Sequence, residues 1–328
     1  MAKKLHLTLA TGDYEITRPL REGLVQPDGI ELTVLSLEAA RDRTFRIARS
    51  LQCDLSEFNA PGYFMARDRD YPIVALPIYP HRRFRHGFVF VNARKGIRQP
   101  ADLIGRKIGM GYFTPAANIW LRGILEEHFG LPHRAVHWVT KLPEDIPFTP
   151  AEGLHLERDT SPRSLDDMLL DGELDALIAP SFPEAFIRGD DRITRLFPNY
   201  QELEIEYYRT TGIFPIMHTL TIKQEIVERY PWVPDNLAYA FNEAKRLAYE
   251  RVRNPRVLPL AWFQTAWEEQ QRLLGPDPWA YGLGAANRKN LETIARYTHE
   301  QGLISRPYAL EELFVPIPES VFRGTSGY

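Results

Sequence analysis

The sequence predicts an α/β fold of two domains built on largely parallel sheets, and three observations carry that expectation. Short β-branched and aromatic runs of period two alternate with stretches of helical period along the chain. The character changes after Asn92, where a polar stretch from Arg94 to Pro100 leads into a fresh strand signal, DLIGRKIGMG, at Asp102 to Gly111. A length of 328 residues with 44% hydrophobic and 12% aromatic side chains supplies cores for two domains of ordinary size.

Taken in order, Leu5 to Ala10 alternates as a strand and ends in the turn Thr11, Gly12, Asp13, Tyr14. There Gly12 is free to take a positive φ and Asp13 to cap the next element, so the turn either faces a ligand or merely caps. Ile30 to Leu35 is a second strand. Leu37 to Ser50 has helical spacing, with Arg41, Arg43, Arg46 and Arg49 on the outer, solvated face. Leu51 to Phe58 reads as a third strand whose tail places Ser56, Glu57 and Asn59 in a turn. Glu57 is a candidate general acid or base, or else a holder of arginines further along, and the second role is favoured.

Ile73 to Tyr79 and Gly87 to Asn92 are strands flanking a knot of His81, Arg82, Arg83, Arg85 and His86. A cationic loop at a strand end is either a carboxylate pocket, since guanidinium forks match carboxylates, or a solvated basic turn. In the second domain, Thr114 is expected to cap a helix with Pro115 in its first turn, running through Asn118 to Phe129 and stopped by Gly130. Its N-terminus, behind Tyr112, offers an anion free N–H groups. Ala135 to Thr140 is a strand, Leu142 to Thr160 an irregular acidic connection, Ser164 to Leu170 a short helix and Leu174 to Ala179 a strand opening onto Pro180 and Ser181. Ile216 to Ile222 is a strand carrying His218, which is a core histidine or a catalyst. Helical patterns come next at Lys223 to Tyr230, Asp235 to Arg253, Pro259 to Leu274 and Asn287 to Gln301, and the tail from Val315 is expected to be loosely held.

A formal net charge of -3 gives no pull toward nucleic acid or an anionic membrane, so the cluster at 81–86 is local and its partner small. Cys53 is the only cysteine, which excludes an internal disulfide and any multi-cysteine metal site. The start, MAKK followed by a strand-like run, lacks an apolar leader region, and the expected location is cytoplasmic. Dinucleotide glycines, a phosphate loop, a serine elbow and a zinc-type helix are all missing from the sequence. His133 and His137 have metal spacing only on a helix, and Pro132 with the strand-like AVHWVT opposes one there, so no metal site is expected.

Several segments carry a resemblance to a known family: GDYEITRPLREGLVQPDGI at Gly12 to Ile30, FRH at Phe84 to His86, ANIWLRGIL at Ala117 to Leu125, YYRTTGIFPIMH at Tyr207 to His218, DPWAYGL and NRKNLE between Asp277 and Glu292, and HEQGL at His299 to Leu303. The order of elements resembles the type II periplasmic-binding-protein-like fold, and these segments resemble the 4,5-dihydroxyphthalate decarboxylase family on that fold. The resemblance implies two lobes, each a mixed, mainly parallel sheet flanked by helices, with lobe I at 1–92 plus 212–328 and lobe II inserted at 93–211. It also implies hinges near Val91 to Ala93 and Tyr208 to Gly212, non-oxidative decarboxylation of a hydroxylated aromatic acid in the cleft between the lobes, no cofactor, and possible homo-oligomers. A solute-binding module, or a lyase or hydrolase for another ring acid, is the alternative.

The resemblance further implies roles for particular residues. Arg82 and Arg85 match the family's loop as the carboxylate clamp, with Arg83 as an added donor. His218 and His86 are candidates to move the proton, while Glu57 and Asp13 orient them or accept from a phenol. Tyr14, Ser56, His81, Tyr112, Thr114, Asn118 and Ser181 complete the expected substrate-binding set. The turn GYFTPAAN and Ser181 depart from the family pattern, which carries a carboxylate and an arginine there. The acid bound is therefore expected to differ from a phthalate in the number or placement of its carboxylates.

Overall fold

The computed structural model describes residues 3–36, 43, 50 and 52–322 of the chain. The expected helix over 37–50 lies outside the described residues apart from Arg43 and Ser50. The chain divides into two compact units, one formed by Met1–Arg82, Ile216–Glu292 and Tyr308–Tyr328, the other by Arg83–Pro215 and Thr293–Pro307.

In the first unit, strands β1 (Leu5–Thr11), β2 (Ile30–Ser36), β3 (Leu55–Asn59) and β4 (Ile73–Leu76) join β11 (His218–Lys223) in a sheet of order β2-β1-β3-β11-β4. β1 runs parallel to β2 and β3, with Ala10 opposite Ser56, while β11 is antiparallel to both its neighbours. β1 alternates strictly enough to bury Leu7 and Leu9, and Leu55 of β3, paired with Leu9, joins them in the core. The helix Val233–Val252 adds its apolar stripe, Val233, Leu237, Phe241, Ala244 and Ala248. Ser56, Glu57 and Asn59 lie within β3 and not in a turn after it. The tail is also held more firmly than its composition implies: Val315 N–H bonds to Ala75 O at 2.9 Å and Phe322 is buried.

In the second unit, β5 (Val89–Asn92), β6 (Lys107–Met110), β7 (His137–Thr140), β8 (His155–Arg158), β9 (Ala176–Ile178) and β10 (Ile193–Arg195) form a sheet of order β10-β5-β9-β6-β7-β8. The strands from β9 to β8 are parallel, and β5 is antiparallel to both β9 and β10. Because β5 pairs with β9 and β10, the division expected after Asn92 falls after Arg82, and the return falls after Pro215 and not after Thr211. The 142–160 connection is not irregular throughout, since His155–Arg158 adds an edge strand to β7. The helix Ala116–Phe129 ends at Gly130 with φ +64°, as expected. Its Gly123 is required by packing: a Cβ there would meet Tyr297 Cδ2 at 2.2 Å.

Candidate active site

Strand β3 carries Glu57 to a fully enclosed position, and the strands on either side supply its partners. One carboxylate oxygen, Oε2, accepts Gly12 N–H at 2.7 Å and Thr11 Oγ1–H at 3.1 Å. The other, Oε1, accepts the Tyr14 hydroxyl at 2.6 Å and Arg43 Nη2 at 3.4 Å, and is bonded to His218 Nδ1. The register accounts for this convergence. Thr11 stands one residue past the Ala10–Ser56 pair and so lies beside Glu57. Across the antiparallel pair Asn59 faces His218 and Leu220 faces Glu57, so Glu57 and His218 are diagonal neighbours on one face.

All these partners donate, which fits an ionised carboxylate. Burial opposes the charge, yet the His218, Arg43 and Tyr14 contacts together outweigh it and hold the Glu57 carboxyl well below the usual carboxylate range. An ionised carboxylate can only accept, so the contact assigns the proton to His218 Nδ1 and leaves Nε2 for chemistry.

His218 is partly solvent-accessible, its side chain 15% exposed. The His81 ring meets it edge-on at 4.9 Å between centroids and stacks on Tyr14 at 5.7 Å. Tyr14 reaches Glu57 by folding back over Gly12, where a Cβ would stand 2.8 Å from the Tyr14 ring. Gly12 is thus needed for space, and it does not take the positive φ expected of it. Glu57, Tyr14, His81 and His218 gather where β1 and β3 end, the chain leaves β4, and β11 begins. Carboxyl ends of parallel strands are where open α/β sheets bind ligands.

Other expected site residues are placed differently. Asp13 is an exposed ion-pair partner of Arg21 and orients no histidine. Ser56 points to the opposite face of β3 from Glu57 and gives its hydroxyl to Arg43 O at 3.2 Å, while Asn59 caps the helix Ala60–Arg67. Arg82 is no solvent-facing clamp: its guanidinium is buried against Ala280 O at 2.8 Å and Asn287 Oδ1 at 2.6 Å, and burial pushes its pKa down to about 10.

Arg83, Arg85 and His86 belong to the second unit. Arg85 is buried over the Phe88 ring and bonds to Pro180 O at 3.3 Å, whereas Arg83 is exposed, its guanidinium 4.9 Å from the same ring centroid. His86 is buried among Phe129, Phe197 and Tyr207, with Glu204 Oε1 3.8 Å from Nδ1.

The expected anion site ahead of the helix Ala116–Phe129 already holds a carboxylate from the chain itself. Glu144 accepts the Phe113 and Thr114 N–H groups and the Thr114 hydroxyl, so Thr114 does not cap the helix. Asn118 is buried and donates to Tyr112 O at 2.6 Å, and Ser181 is exposed. Sequence reasoning missed three contributors. Arg43 shares the spacing of arginines expected on a solvated face, Thr11 reads as a turn residue, and Glu144 lies in a Pro-rich stretch without periodicity.

Comparison with known proteins decides the family. Over 98% of its length the chain is 34% identical to the 4,5-dihydroxyphthalate decarboxylase of Comamonas testosteroni, covering 99% of that protein. This chain belongs to the 4,5-dihydroxyphthalate decarboxylase family. It is also 33% identical over 63% of its length to the 4,5-dihydroxyphthalate decarboxylase of Pseudomonas putida, covering 82% of it, and residues 22–142 match the "NMT1/THI5 like" family.

Solved structures give this decarboxylase-family chain the periplasmic-binding-protein fold. The periplasmic aliphatic sulphonate binding protein of Escherichia coli aligns with a TM-score of 0.57 at 12% identity, over 97% of this chain and 94% of that one. A Candida albicans protein with the generic periplasmic binding protein fold aligns at 0.53 and 12% identity, over 94% of each chain. Among the described residues no helix is long and apolar enough to cross a membrane.

Proposed function

We propose that this chain decarboxylates a hydroxylated aromatic carboxylic acid of the 4,5-dihydroxyphthalate type, with His218 as the proton donor to the ring. The observation that carries the reading is the Glu57 carboxylate, buried, ionised and bonded to His218 Nδ1. In this reading Glu57 is a positioning residue: it fixes the imidazole's orientation and tautomer and stabilises its protonated form without entering the reaction.

The step balances without an added oxidant or reductant. The proton on His218 Nε2 passes to the ring carbon bearing the carboxylate, with a ring hydroxyl supplying electron density. The bond between that carbon and the carboxylate then breaks, its electron pair restores the aromatic ring, and carbon dioxide leaves. Solvent returns a proton to His218, whose partial exposure permits it. His81, edge-on to His218 and stacked on Tyr14, is proposed as the second imidazole of the site. Arg83 is kept as a carboxylate-binding candidate of the second unit because it is exposed and ring-supported, and Arg82 is set aside.

Fold likeness to a sulphonate-binding protein keeps a second reading in view, that of a module that binds an acid without turning it over. Purified protein mixed with hydroxylated benzoates and phthalates separates the two. Carbon dioxide release supports the decarboxylase, and thermal stabilisation by an acid with no release supports the binding module.

A further inference from the structure

The groups behind His81 form a buried polar lattice that the proposed chemistry does not use. Arg82 is extended in an antiparallel bridge with Ile216, so its side chain and that of His81 leave the backbone in opposite directions. Arg82 Nη2 donates to Ala280 O at 2.8 Å and to Asn287 Oδ1 at 2.6 Å, and its guanidinium lies 5.2 Å from the Tyr79 ring centroid. The Asn287 amide donates in turn to Ala280 O and Gly282 O, both at 2.9 Å. Tyr79 closes the loop by donating to Gly282 O at 3.0 Å, and Gly282 N–H returns to Pro77 O at 2.8 Å.

A second cation, Lys245, anchors the same 277–282 segment from the helix Val233–Val252. It is fully buried, bonded to the Asp277 carboxylate and donating to Trp279 O at 3.1 Å, and Tyr249 donates to the other Asp277 oxygen at 3.1 Å. Fixing a lysine and an arginine out of water is costly unless their partners are set in place, so a lattice of this kind holds one geometry. It holds Arg82, the residue next to His81 in the chain. The backbone of His81 is tied to the site as well, because its carbonyl accepts the Met217 and His218 N–H groups at 2.9 and 3.2 Å.

The geometry points to Asn287, acting through Arg82, as a positioning residue that aims His81 at His218, with the Lys245–Asp277 pair fixing the segment against which Arg82 is held. Removing the Asn287 amide takes one acceptor from Arg82 Nη2 while Ala280 O remains, and this loosening beside His81 lets the His81 ring shift from Tyr14 and His218, although Asn287 touches neither ring. This inference rests on His81 belonging to the site proposed above.

The test is Asn287→Ala in the full chain carrying 13C-labelled histidine, with the His81 ring signal assigned by its loss in His81→Gln. The expected result is a displaced His81 signal with His218 little changed, and a kcat lower by roughly ten- to a hundredfold at a KM within about twofold of wild type, as for misplacement of a reacting group. Asn287→Asp, which keeps an acceptor for Arg82, should restore most of both. Where Asn287→Ala does not fold, Tyr249→Phe removes only the outer hydroxyl from Asp277 and should move the same signal less far. A lowered melting temperature with an unmoved His81 signal and unchanged kcat would overturn the proposal. If the wild type turns over no aromatic acid, the decarboxylase reading fails and the His81 signal alone decides this one.

Discussion

Replacing Glu57 by glutamine tests the organisation of the site most severely. The carboxylate is enclosed and meets Gly12 N–H, Thr11 Oγ1–H, Tyr14 O–H, Arg43 and His218, donors in every case. A carboxamide would turn an N–H group toward these donors and leave the buried Arg43 without its charge partner at 3.4 Å. Breaking a buried pair from one side costs about 3–5 kcal/mol. For a unit of this size class that is a fall in Tm on the order of 10 °C by differential scanning calorimetry at pH 7.

The pH dependence has a definite sign. A carboxyl group whose folded pKa is depressed adds stability that is present above its unfolded value, roughly 4.5 here, and that is lost as the pH falls toward the folded value. The Tm gap between wild type and Glu57→Gln should therefore be full at pH 7 and narrow steadily below about pH 4.5. A glutamine variant that melts with the wild type at pH 7, or a gap that does not change with acid, would refute this account of an ionised, donor-saturated carboxylate.

Other outcomes rest on single contacts. Gly12→Ala should destabilise wild type by about 1–3 kcal/mol through collision with the Tyr14 ring but be nearly neutral in a Tyr14→Ala background, a coupling that a double-mutant cycle by urea denaturation would read. Glu144→Gln should speed amide hydrogen exchange at Phe113 and Thr114 by roughly tenfold, the loss of about 1.5 kcal/mol in charge-assisted bonds, and leave the centre of the helix Ala116–Phe129 unchanged. Arg83→Ala should shift stability by less than about 0.5 kcal/mol while raising KM for a carboxylic acid substrate, because Arg83 is exposed and packs on one ring only.

The fold was legible wherever local pattern and burial agree. Leu5–Thr11 alternates because one face is buried, and the helix Ala116–Phe129 stops at Gly130 because the chain turns left-handed there. The His155–Arg158 strand was not legible, since it is a largely exposed edge whose order comes from pairing with β7 and not from apolar side chains. At the site, Glu57, His218, Tyr14 and His81 stood out as residue types beside strand ends, and the structure joins them. The arginines did not sort themselves. Arg43 reads as solvated and Arg82 as a carboxylate clamp in sequence, yet each is buried against a partner from a distant element, Glu57 for one and Asn287 for the other. His86 shows a matching contrast: its neighbourhood is Arg-rich in sequence and aromatic in space.

Carbon dioxide release from a panel of hydroxylated phthalates and benzoates, measured for wild type and for His218→Gln with the fold of both checked by circular dichroism, bears most directly on the claim that His218 protonates the ring. Release by the wild type that falls by about 10²–10⁴ in the variant is the result expected for loss of a positioned proton donor. Undiminished release by His218→Gln, or binding of an acid by the wild type with no release at all, would contradict it.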